Sequence, residues 1–249
     1  MDNRTILLYQ ELSSNAWPAK TYIFLNGWIL RLSEGVTKRA NSVYPLRYTG
    51  KDLLKDIKTV ERVYKEKDLP VIFQLPDYFE PKNLQDTLFS LGYGSIDESL
   101  VMTAHTEDIC AVTNREYTYS TEDKSSDNWF QALARFSGYR SNVLEGHKNI
   151  LKRIPFSKVF CSARENNEIV GIGLGVIERE YMGIFELSVD FNYRRKGIGQ
   201  SMVGLLVEWG KLNSAVHVYL QVQGDNVGAI SLYKKIGFKE CYRYRYFIC

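Results

Sequence analysis

Apolar side chains recur along the chain with two different periods, and these periods predict strands and helices in a definite order. Trp28, Leu30 and Leu32 occupy every second position, as on one face of a strand. Further along, leucine, isoleucine and valine recur at helical spacing. The elements predicted for the first half are a strand over 28–32, a turn at Gly35, a strand over 40–46, a helix over 51–66, a strand over 70–75 and a helix that ends at Gly92.

The second half repeats this order. Its predicted elements are a strand over 185–189, a helix over 198–212, a strand over 218–222 and a helix over 227–236 that ends at Gly237. Segments 41–43, 71–74 and 91–93 recur in similar form 146, 147 and 145 positions later. These near-equal offsets indicate a duplicated fold. The alternative is that two α/β halves share common strand sequences by chance.

A polar stretch over 103–126, with little apolar periodicity, separates the two halves. After it, Trp129 and Leu133 mark an amphipathic helix that begins at Ser126 or Asp127, either of which can cap a helix N-terminus. We therefore expect an α/β chain with one lobe on each side of this stretch.

Composition narrows the class of protein. The 249 residues are 45% hydrophobic and 24% charged, and 32 basic against 29 acidic residues leave a net charge of +3. Such a chain can bury a substantial core, and its charge balance argues against disorder and against a nucleic acid as the main partner.

No segment approaches the ~20 apolar residues of a membrane span, so we expect no membrane partner and a cytoplasmic protein. The four cysteines and three histidines show no spacing typical of a zinc site or a disulfide framework, so no metal is expected.

One glycine-rich segment lies where a strand meets a helix. Residues 194–199 read Arg-Arg-Lys-Gly-Ile-Gly. Glycines at a helix N-terminus leave backbone N–H groups free to bind an anion, and the helix dipole and three adjacent cations add positive potential. The spacing fits neither a Rossmann fingerprint nor a P-loop. The glycines alone could also serve only the turn.

This segment matches the Arg/Gln-x-x-Gly-x-Gly/Ala signature of the GNAT superfamily of N-acetyltransferases, and the sequence resembles that family. Residues 187–190, Leu-Ser-Val-Asp, resemble the family's bulged fourth strand. The residues that resemble its C-terminal motif are Asn226, Ala229, Tyr233, Gly237 and Phe238. The resemblance implies an α/β (α+β) fold of tandem GNAT-like lobes, each a mixed, mostly antiparallel twisted sheet flanked by helices. Residues 1–110 would form a degenerate N-terminal lobe and residues 111–249 the catalytic domain.

The resemblance also implies acetyl-CoA as the acetyl donor. In the family, the pantetheine arm pairs with the backbone of the fourth strand, and the pyrophosphate lies on the glycine-rich loop. The residues of this chain that would bind acetyl-CoA are Leu187, Val189, Arg194, Arg195, Lys196, Gly197, Ile198, Gly199, Gln200 and Asn226. Asn226 could also cap the last helix, and the two roles are compatible.

The family match places the phenol of Tyr233 at the thioester sulfur. Proton transfer from a phenol with a pKa of ~10 to a thiolate with a pKa of ~8.5 is uphill by roughly 2 kcal/mol. We therefore expect Tyr233 to donate a hydrogen bond to the sulfur as charge develops there. As one of 17 tyrosines, it could instead be a packed aromatic residue.

The catalytic base is less directly indicated. Some members of the family carry a glutamate on the fifth strand where this chain has Gln221, which cannot accept a proton as a base. Glu186 is the candidate that we favour, because its side chain should leave the strand on the face opposite its neighbour Leu187. A solvated or ion-paired Glu186 is the alternative, and His147 and His217 are weaker candidates for the base.

The first half lacks the corresponding chemistry. Lys51 and Leu53 stand at the positions of the two loop glycines, and Leu88 stands at that of the tyrosine. We therefore expect the first lobe to wall the acceptor pocket without binding acetyl-CoA.

Three polar residues of the first half, Arg31, Arg39 and Asn41, lie in a predicted strand pair. They could line a site for a substrate carboxylate or pair with acidic neighbours. Ion pairing is the interpretation that we favour at this point.

The leading hypothesis is an enzyme that transfers acetyl from acetyl-CoA to a primary amine of a small molecule, by direct attack in a ternary complex. The acceptor and the oligomeric state, a homodimer included, are left open by the sequence. Nucleic acid is not expected as a partner, because the cations over 194–196 are already assigned to phosphate binding. A protein or peptide N-acetyltransferase and a non-catalytic acyl-CoA-binding module are the alternatives.

Overall fold

The computed structural model describes residues 2–249, and their strands form one eleven-stranded sheet. The helices are α1 (Asn3–Ala16), α2 (Leu53–Lys65), α3 (Leu84–Ser90), α4 (Asp127–Ser137), α5 (Ser141–Arg153), α6 (Ile198–Leu212) and α7 (Val227–Lys235), with short 3-10 helices at Lys38–Ala40, Thr106–Asp108 and Phe191–Tyr193. The strands are β1 (Thr21–Leu25), β2 (Trp28–Leu32), β3 (Val43–Tyr44), β4 (Ile72–Pro76), β5 (Gly94–His105), β6 (Thr118–Glu122), β7 (Ser157–Glu165), β8 (Glu168–Glu178), β9 (Tyr181–Val189), β10 (His217–Gln223) and β11 (Lys239–Ile248).

The strand order is symmetrical about the centre of the sheet. It runs β1-β2-β3-β4-β11-β5-β10-β9-β8-β7-β6, so each strand of the first half has a counterpart at the same distance from the centre, and β6 is added at one edge. Strands β3 and β4 pair in parallel, as do their counterparts β9 and β10, and the other pairs are antiparallel. The prediction of a mixed, mostly antiparallel sheet flanked by helices is confirmed.

The last strand of each half lies beside the other half. β11 pairs with β4, β5 pairs with β10, and β5 and β11 pair with each other at the centre. Phe73 of β4 is paired with Phe247 of β11, and moving these residues by the repeat offsets of 147 and 145 positions gives Leu220 and Met102, which are also paired. This common register supports the duplication inferred from the sequence.

Apolar cores lie on both faces of the sheet. One core under α6 and α7 and another under α2 and α3 belong to the second and first halves, respectively. A third core lies under α1, α4 and α5. Leu100 and Met102 of β5 belong to the core under α6, whereas Val101 between them belongs to the core under α1. This alternation places α6 and α1 on opposite faces.

The prediction of a strand over 40–46 is wrong for most of that range. The chain instead forms a 3-10 helix at Lys38–Ala40 and pairs with the sheet only at β3. Thr37 Oγ1 accepts a hydrogen bond from the N–H of Ala40, and the carboxamide oxygen of Asn41 accepts two from backbone N–H groups of the preceding turn. These side-chain hydrogen bonds compete with a strand ladder.

The helices predicted over 51–66, 198–212 and 227–236 are confirmed as α2, α6 and α7, and Ser126 caps α4. The sequence pattern does not predict helices α1 and α5 or strands β1, β5, β6, β7 and β11. The polar stretch over 103–126 holds the end of β5 and all of β6. The boundary between residues 110 and 111 falls in the loop between these strands and stays a prediction.

Candidate active site

A β-bulge interrupts β9 near its end. The register between β8 and β9 shifts between Ile172 and Leu174, so that Glu186 and Leu187 lie opposite the single residue Gly173. Glu186 has a φ of 49°, in the left-handed region that residues with a Cβ seldom occupy. The strand is therefore bulged where the family resemblance implies.

Strands β9 and β10 separate just before this bulge. Their parallel pairing runs from Tyr181 and His217 to Ile184 and Leu220, and then ends. The edge of β9 that faces β10 has no strand partner over 185–189, although its other edge stays paired with β8. A free edge of this kind can pair with an extended ligand as if with an added strand.

Helix α6 begins beside the free edge without a side-chain cap. Its N-cap is Gly197, which has a φ of 78° and makes no side-chain hydrogen bond to the first turn. The N–H groups of the first helical turn have no intrahelical acceptor, and the helix dipole makes this end attractive to anions. Asn114, from the loop before β6, donates to the carbonyl of Lys196 and holds the glycine-rich loop from behind.

The free strand edge and the helix N-terminus open into one cleft of about 590 Å³, whose walls also include α7. The predicted acetyl-CoA residues that line it are Leu187, Val189, Arg194, Arg195, Gly197, Ile198, Gly199, Gln200 and Asn226. Lys196 lies outside this cleft, with its ammonium 4.8 Å from the ring centroid of Tyr193 and facing a neighbouring depression. Lys235 lines the cleft and supplies a cation that the sequence motifs did not indicate.

Asn226 and Tyr233 reach the cleft from α7. Asn226 is the N-cap of this helix, and its side chain accepts a hydrogen bond of 3.1 Å from the N–H of Ala229. Tyr233 is buried, and its ring packs edge-on against Phe238. Burial raises the pKa of Tyr233 to about 12. The phenol is therefore protonated at neutral pH and can act there only as a hydrogen-bond donor or a very weak acid.

Glu186 lies on the other face of the sheet, where it meets His147 of α5. Nδ1 of His147 is 3.4 Å from Oε1 of Glu186, and the two side chains are only 2% and 8% exposed. Tyr139 and Trp17 pack around the imidazole, with ring centroids 4.5 and 5.7 Å away. Two of the candidate bases, Glu186 and His147, are therefore in contact with each other. The third, His217, begins β10 and stacks on a tyrosine of β9 at the far end of the strand.

Two arginines of the first half contact Trp17, which packs against His147. Nη1 of Arg39 donates a hydrogen bond of 3.5 Å to Oε1 of Gln221, and its guanidinium lies 4.9 Å from the ring centroid of Trp17. Arg31 is fully buried and donates to the carbonyl of Trp17 at 2.6 Å. Within residues 2–249, neither arginine has a carboxylate oxygen within 4.0 Å, so neither forms a direct ion pair, although the charge of Glu186 acts on Arg39.

The corresponding helix of the first half, α2, is closed to anions. Asp52 caps it by accepting a hydrogen bond of 3.0 Å from the N–H of Lys55. Asp56 lies in the first turn, and its carboxylate accepts a hydrogen bond of 2.9 Å from the hydroxyl of Tyr48. Two carboxylates therefore lie at the N-terminal end of α2, one of them as the cap, and they would repel a phosphate.

Residues 2–249 contain no membrane-spanning helix, no metal-binding cluster and no disulfide. None of the helices there combines the length and apolarity that a membrane crossing requires. That part of the chain also holds no group of three or more histidine, cysteine, aspartate or glutamate side chains placed to bind a metal ion. The four cysteines form no disulfide.

Comparison with known proteins relates these features to a family. The family model described as "Probable histone acetyltransferase Rv0428c C-terminal" matches residues 9–247. The protein named "Uncharacterized N-acetyltransferase YobR" of Bacillus subtilis (strain 168) is 33% identical over 241 residues, which cover 95% of this chain and 96% of that protein.

Solved structures share the fold. A GCN5-related N-acetyltransferase from Kribbella flavida superimposes with a TM-score of 0.71 at 12% identity, over 96% of this chain and 94% of that one. A tandem GNAT protein from the clavulanic acid biosynthesis pathway gives a TM-score of 0.69 at 10% identity, over 96% and 86% of the two chains. Acetyltransferases with the GNAT fold use acetyl-CoA. The chain belongs to the Rv0428c C-terminal acetyltransferase family and is an N-acetyltransferase of the GNAT superfamily.

Proposed function

We propose that this enzyme transfers the acetyl group of acetyl-CoA to the amine of a small molecule, in a ternary complex at the gap between β9 and β10. One observation carries the proposal. The free strand edge, the uncapped end of α6 and Tyr233 share a cleft on one face, while the Glu186 carboxylate stands beside the same gap on the other face. Donor and acceptor could therefore meet at the gap from opposite sides, as direct transfer requires.

The cleft fits acetyl-CoA, which when bound supplies an activated thioester. Leu187 and Val189 would offer backbone groups to the pantetheine arm, and the first-turn amides of α6 would bind the pyrophosphate. A Cβ at Gly199 would lie 3.4 Å from Leu232 and 3.9 Å from Val189, which are ordinary contact distances. A longer side chain at Gly199 would enter the space between α7 and β9.

The cations around the glycine-rich loop would contribute to acetyl-CoA binding in different ways. Arg194 and Arg195 line the cleft and would neutralise phosphate charge directly, and Lys235 would add to them from α7. Lys196 faces the neighbouring depression, so we assign it only long-range attraction of the anionic ligand.

Glu186 would accept the proton that an ammonium acceptor must lose before its nitrogen can attack the thioester carbonyl. The transfer would run directly or through one water. The imidazole of His147 contacts the carboxylate and is itself wedged between Tyr139 and Trp17. His147 is therefore a positioning residue that fixes the orientation of Glu186.

Tyr233 would donate a hydrogen bond to the sulfur as thiolate charge develops. A phenol with a pKa of about 12 gives up its proton less readily than an ordinary one with a pKa of ~10, so complete transfer to the thiolate is further uphill than the unperturbed values imply. Its part in catalysis is therefore electrostatic, and it acts most strongly in the transition state.

We assign the two halves different roles. Residues 111–249 would form the catalytic domain, and residues 1–110 would form a lobe that walls the acceptor side, because α2 is capped by carboxylates and carries no glycine loop. A protein amine is the second candidate acceptor, since the description of the matching family model names a histone acetyltransferase.

The test is an acetyl-CoA thiol-release screen over amino acids, polyamines, aminoglycosides and short peptides, with mass spectrometry of the products. We expect CoA release that depends on a small amine and equals the N-acetylated product formed. Release with peptides alone would favour the second candidate. Binding of acetyl-CoA without release for any amine would favour a non-catalytic acyl-CoA-binding module.

A further inference from the structure

The guanidinium of Arg39 lies on the same face of the sheet as Glu186 and makes few hydrogen bonds to the protein. A guanidinium carries five N–H donors, yet within residues 2–249 this one makes a single long hydrogen bond, to Gln221 at 3.5 Å. The side chain is partly exposed, and its 3-10 helix places it over the ring of Trp17. Most of its donors therefore have no acceptor in that part of the chain.

The surroundings of Arg39 add positive charge. Arg31 is fully buried, its guanidinium lies 4.5 Å from the ring centroid of Tyr44, and its Nε and Nη1 have no hydrogen-bond partner within residues 2–249. Burial lowers the pKa of Arg39, but the tyrosines of β11 and Glu186 raise it, and the net pKa is above the ordinary value. The carboxylate whose charge raises the pKa of Arg39 is that of Glu186, which is also the proposed catalytic base.

Trp17 connects Arg39 to the Glu186–His147 pair. Its ring lies 4.9 Å from the Arg39 guanidinium, 5.7 Å from the imidazole of His147 and 5.9 Å from the ring of Phe185, next to Glu186 in β9. The cation and the base therefore flank one indole ring. A short molecule with an amine at one end and an anionic group at the other would reach both.

Resting on the proposed function, we propose that the acceptor is an amino-acid-like molecule that carries a carboxylate as well as its amine, and that Arg39 binds this carboxylate. Arginine matches a carboxylate with two parallel N–H donors, and such charge-assisted hydrogen bonds are stronger than neutral ones. Arg39 comes from the first half of the chain, so that half would determine the substrate class of a reaction carried out by the second.

The test compares free amino acids with their carboxamides, which keep the amine and lose the negative charge. For the wild type we expect kcat/KM to be about 10- to 100-fold higher with the acid of each pair. Arg39→Met keeps an apolar stem over Trp17 and should raise KM for the acids by about the same factor, while KM for the carboxamides changes less than about twofold. Arg39→Lys, which keeps the charge, should restore part of the preference.

Lys38→Met is the matched control. It removes a cation from the same 3-10 helix, where the Lys38 ammonium pairs with Asp97 at 2.6 Å, and it should leave the acid preference intact. An equal loss of kcat/KM for acids and carboxamides in Arg39→Met would show that Arg39 only supports the fold. Acetylation confined to amines without a carboxylate would overturn this proposal and leave the proposed function standing. Acetyl-CoA binding with no acetylation of any amine would overturn both.

Discussion

Glu186 occupies a backbone conformation that side chains with a Cβ seldom adopt, and this conformation decides which face of the sheet it reaches. With a φ of 49° at the bulge, it turns toward α5, whereas the next residue, Leu187, lines the cleft on the other face. Backbone strain of this kind persists only where the surroundings hold the residue in place, and His147 provides such a contact.

Replacement of this carboxylate should lower the rate without weakening cofactor binding. For Glu186→Gln we expect kcat/KM for the amine to fall by about 10²-fold or more, most strongly at low pH, where the acceptor is most protonated. The dissociation constant of acetyl-CoA should stay within about twofold, because Glu186 does not line the cleft. A pH–rate profile of the variant checks this.

Glu178→Gln is the control, because this carboxylate lies elsewhere and accepts hydrogen bonds from the side chain of Asn15 in α1. It should keep the wild-type profile. An unchanged profile in Glu186→Gln itself would assign the proton to water or another group.

The high pKa of Tyr233 leads to a second prediction at this scale. A donor with a pKa of about 12 stays protonated as the pH rises from about 7 to about 10, so its contribution to the rate is constant over that range and is lost only above the shifted pKa. Tyr233→Phe should therefore lower turnover by about 10²- to 10⁴-fold, by the same factor at every pH measured. Steady-state rates of the two proteins across this range give the ratio.

Tyr93→Phe is the control, because it removes the hydroxyl of another buried tyrosine, one that bonds to Glu61 in the first half. Its turnover should match that of the wild type. A Tyr233→Phe penalty that shrinks toward pH ~10 would mean that the phenol titrates with its ordinary pKa.

At the scale of elements, α6 and α2 show how the start of a helix determines what it can bind. Helix α6 begins at a left-handed glycine, and no side chain caps its first amides, whereas in α2 Asp52 accepts a hydrogen bond from the N–H of Lys55. The duplicated helices have therefore diverged at their N-termini more than in their packing, since both bury an apolar face against the sheet.

The two loop glycines should differ in what they contribute to stability. Gly197 has a φ of 78°, so Gly197→Ala should lower the free energy of unfolding by about 1–2 kcal/mol. Gly199 lies within α6, where a Cβ would make only ordinary contacts, and Gly199→Ala should leave the protein as stable or up to about 1 kcal/mol more stable. Urea unfolding of both variants measures this difference, and equal midpoints would show that the left-handed cap has no energetic role.

Local signals in the sequence specified some elements and missed others. The bounds of α6 could be predicted because Gly197 marks the N-cap and the apolar stripe lies within the helix. Helix α1 was missed because its apolar residues stand among polar ones and its packing partners, β8 and β9, are far away in sequence. The strand over 40–46 was predicted wrongly because side-chain hydrogen bonds of Thr37 and Asn41 decide the local conformation.

At the scale of the whole molecule, the halves are joined by their exchanged last strands. Leu100 and Met102 of β5 are buried in the core under α6, and Phe247 of β11 is buried in the core under α2 and α3. The sequence could not reveal this exchange, since β5 and β11 are equivalent in the repeat and either arrangement satisfies the same apolar pattern. Arg39, His147 and Glu186 are far apart in sequence, so their arrangement around Trp17 follows only from the tertiary structure.

The exchange predicts that residues 111–249 do not fold stably alone. Without β5 the apolar side chains beneath α6 would be exposed, at a cost of about 1.5–3 kcal/mol each against a total stability of about 5–15 kcal/mol. Co-expression of 1–110 with 111–249 should restore a folded complex, because the break lies in the loop between β5 and β6. Circular dichroism and thermal melts check both statements, and a cooperative melt of 111–249 alone at the full-length temperature would contradict the first.

The central claim is that one half of this duplicated fold binds the cofactor, at the uncapped end of α6. A calorimetric titration of the full-length protein with CoA tests it most directly. We expect one CoA per chain, with affinity reduced at least about 10-fold in Gly199→Glu and changed less than about twofold in Lys51→Glu at the corresponding end of α2. Two CoA molecules per chain, or equal losses in the two variants, would contradict the claim.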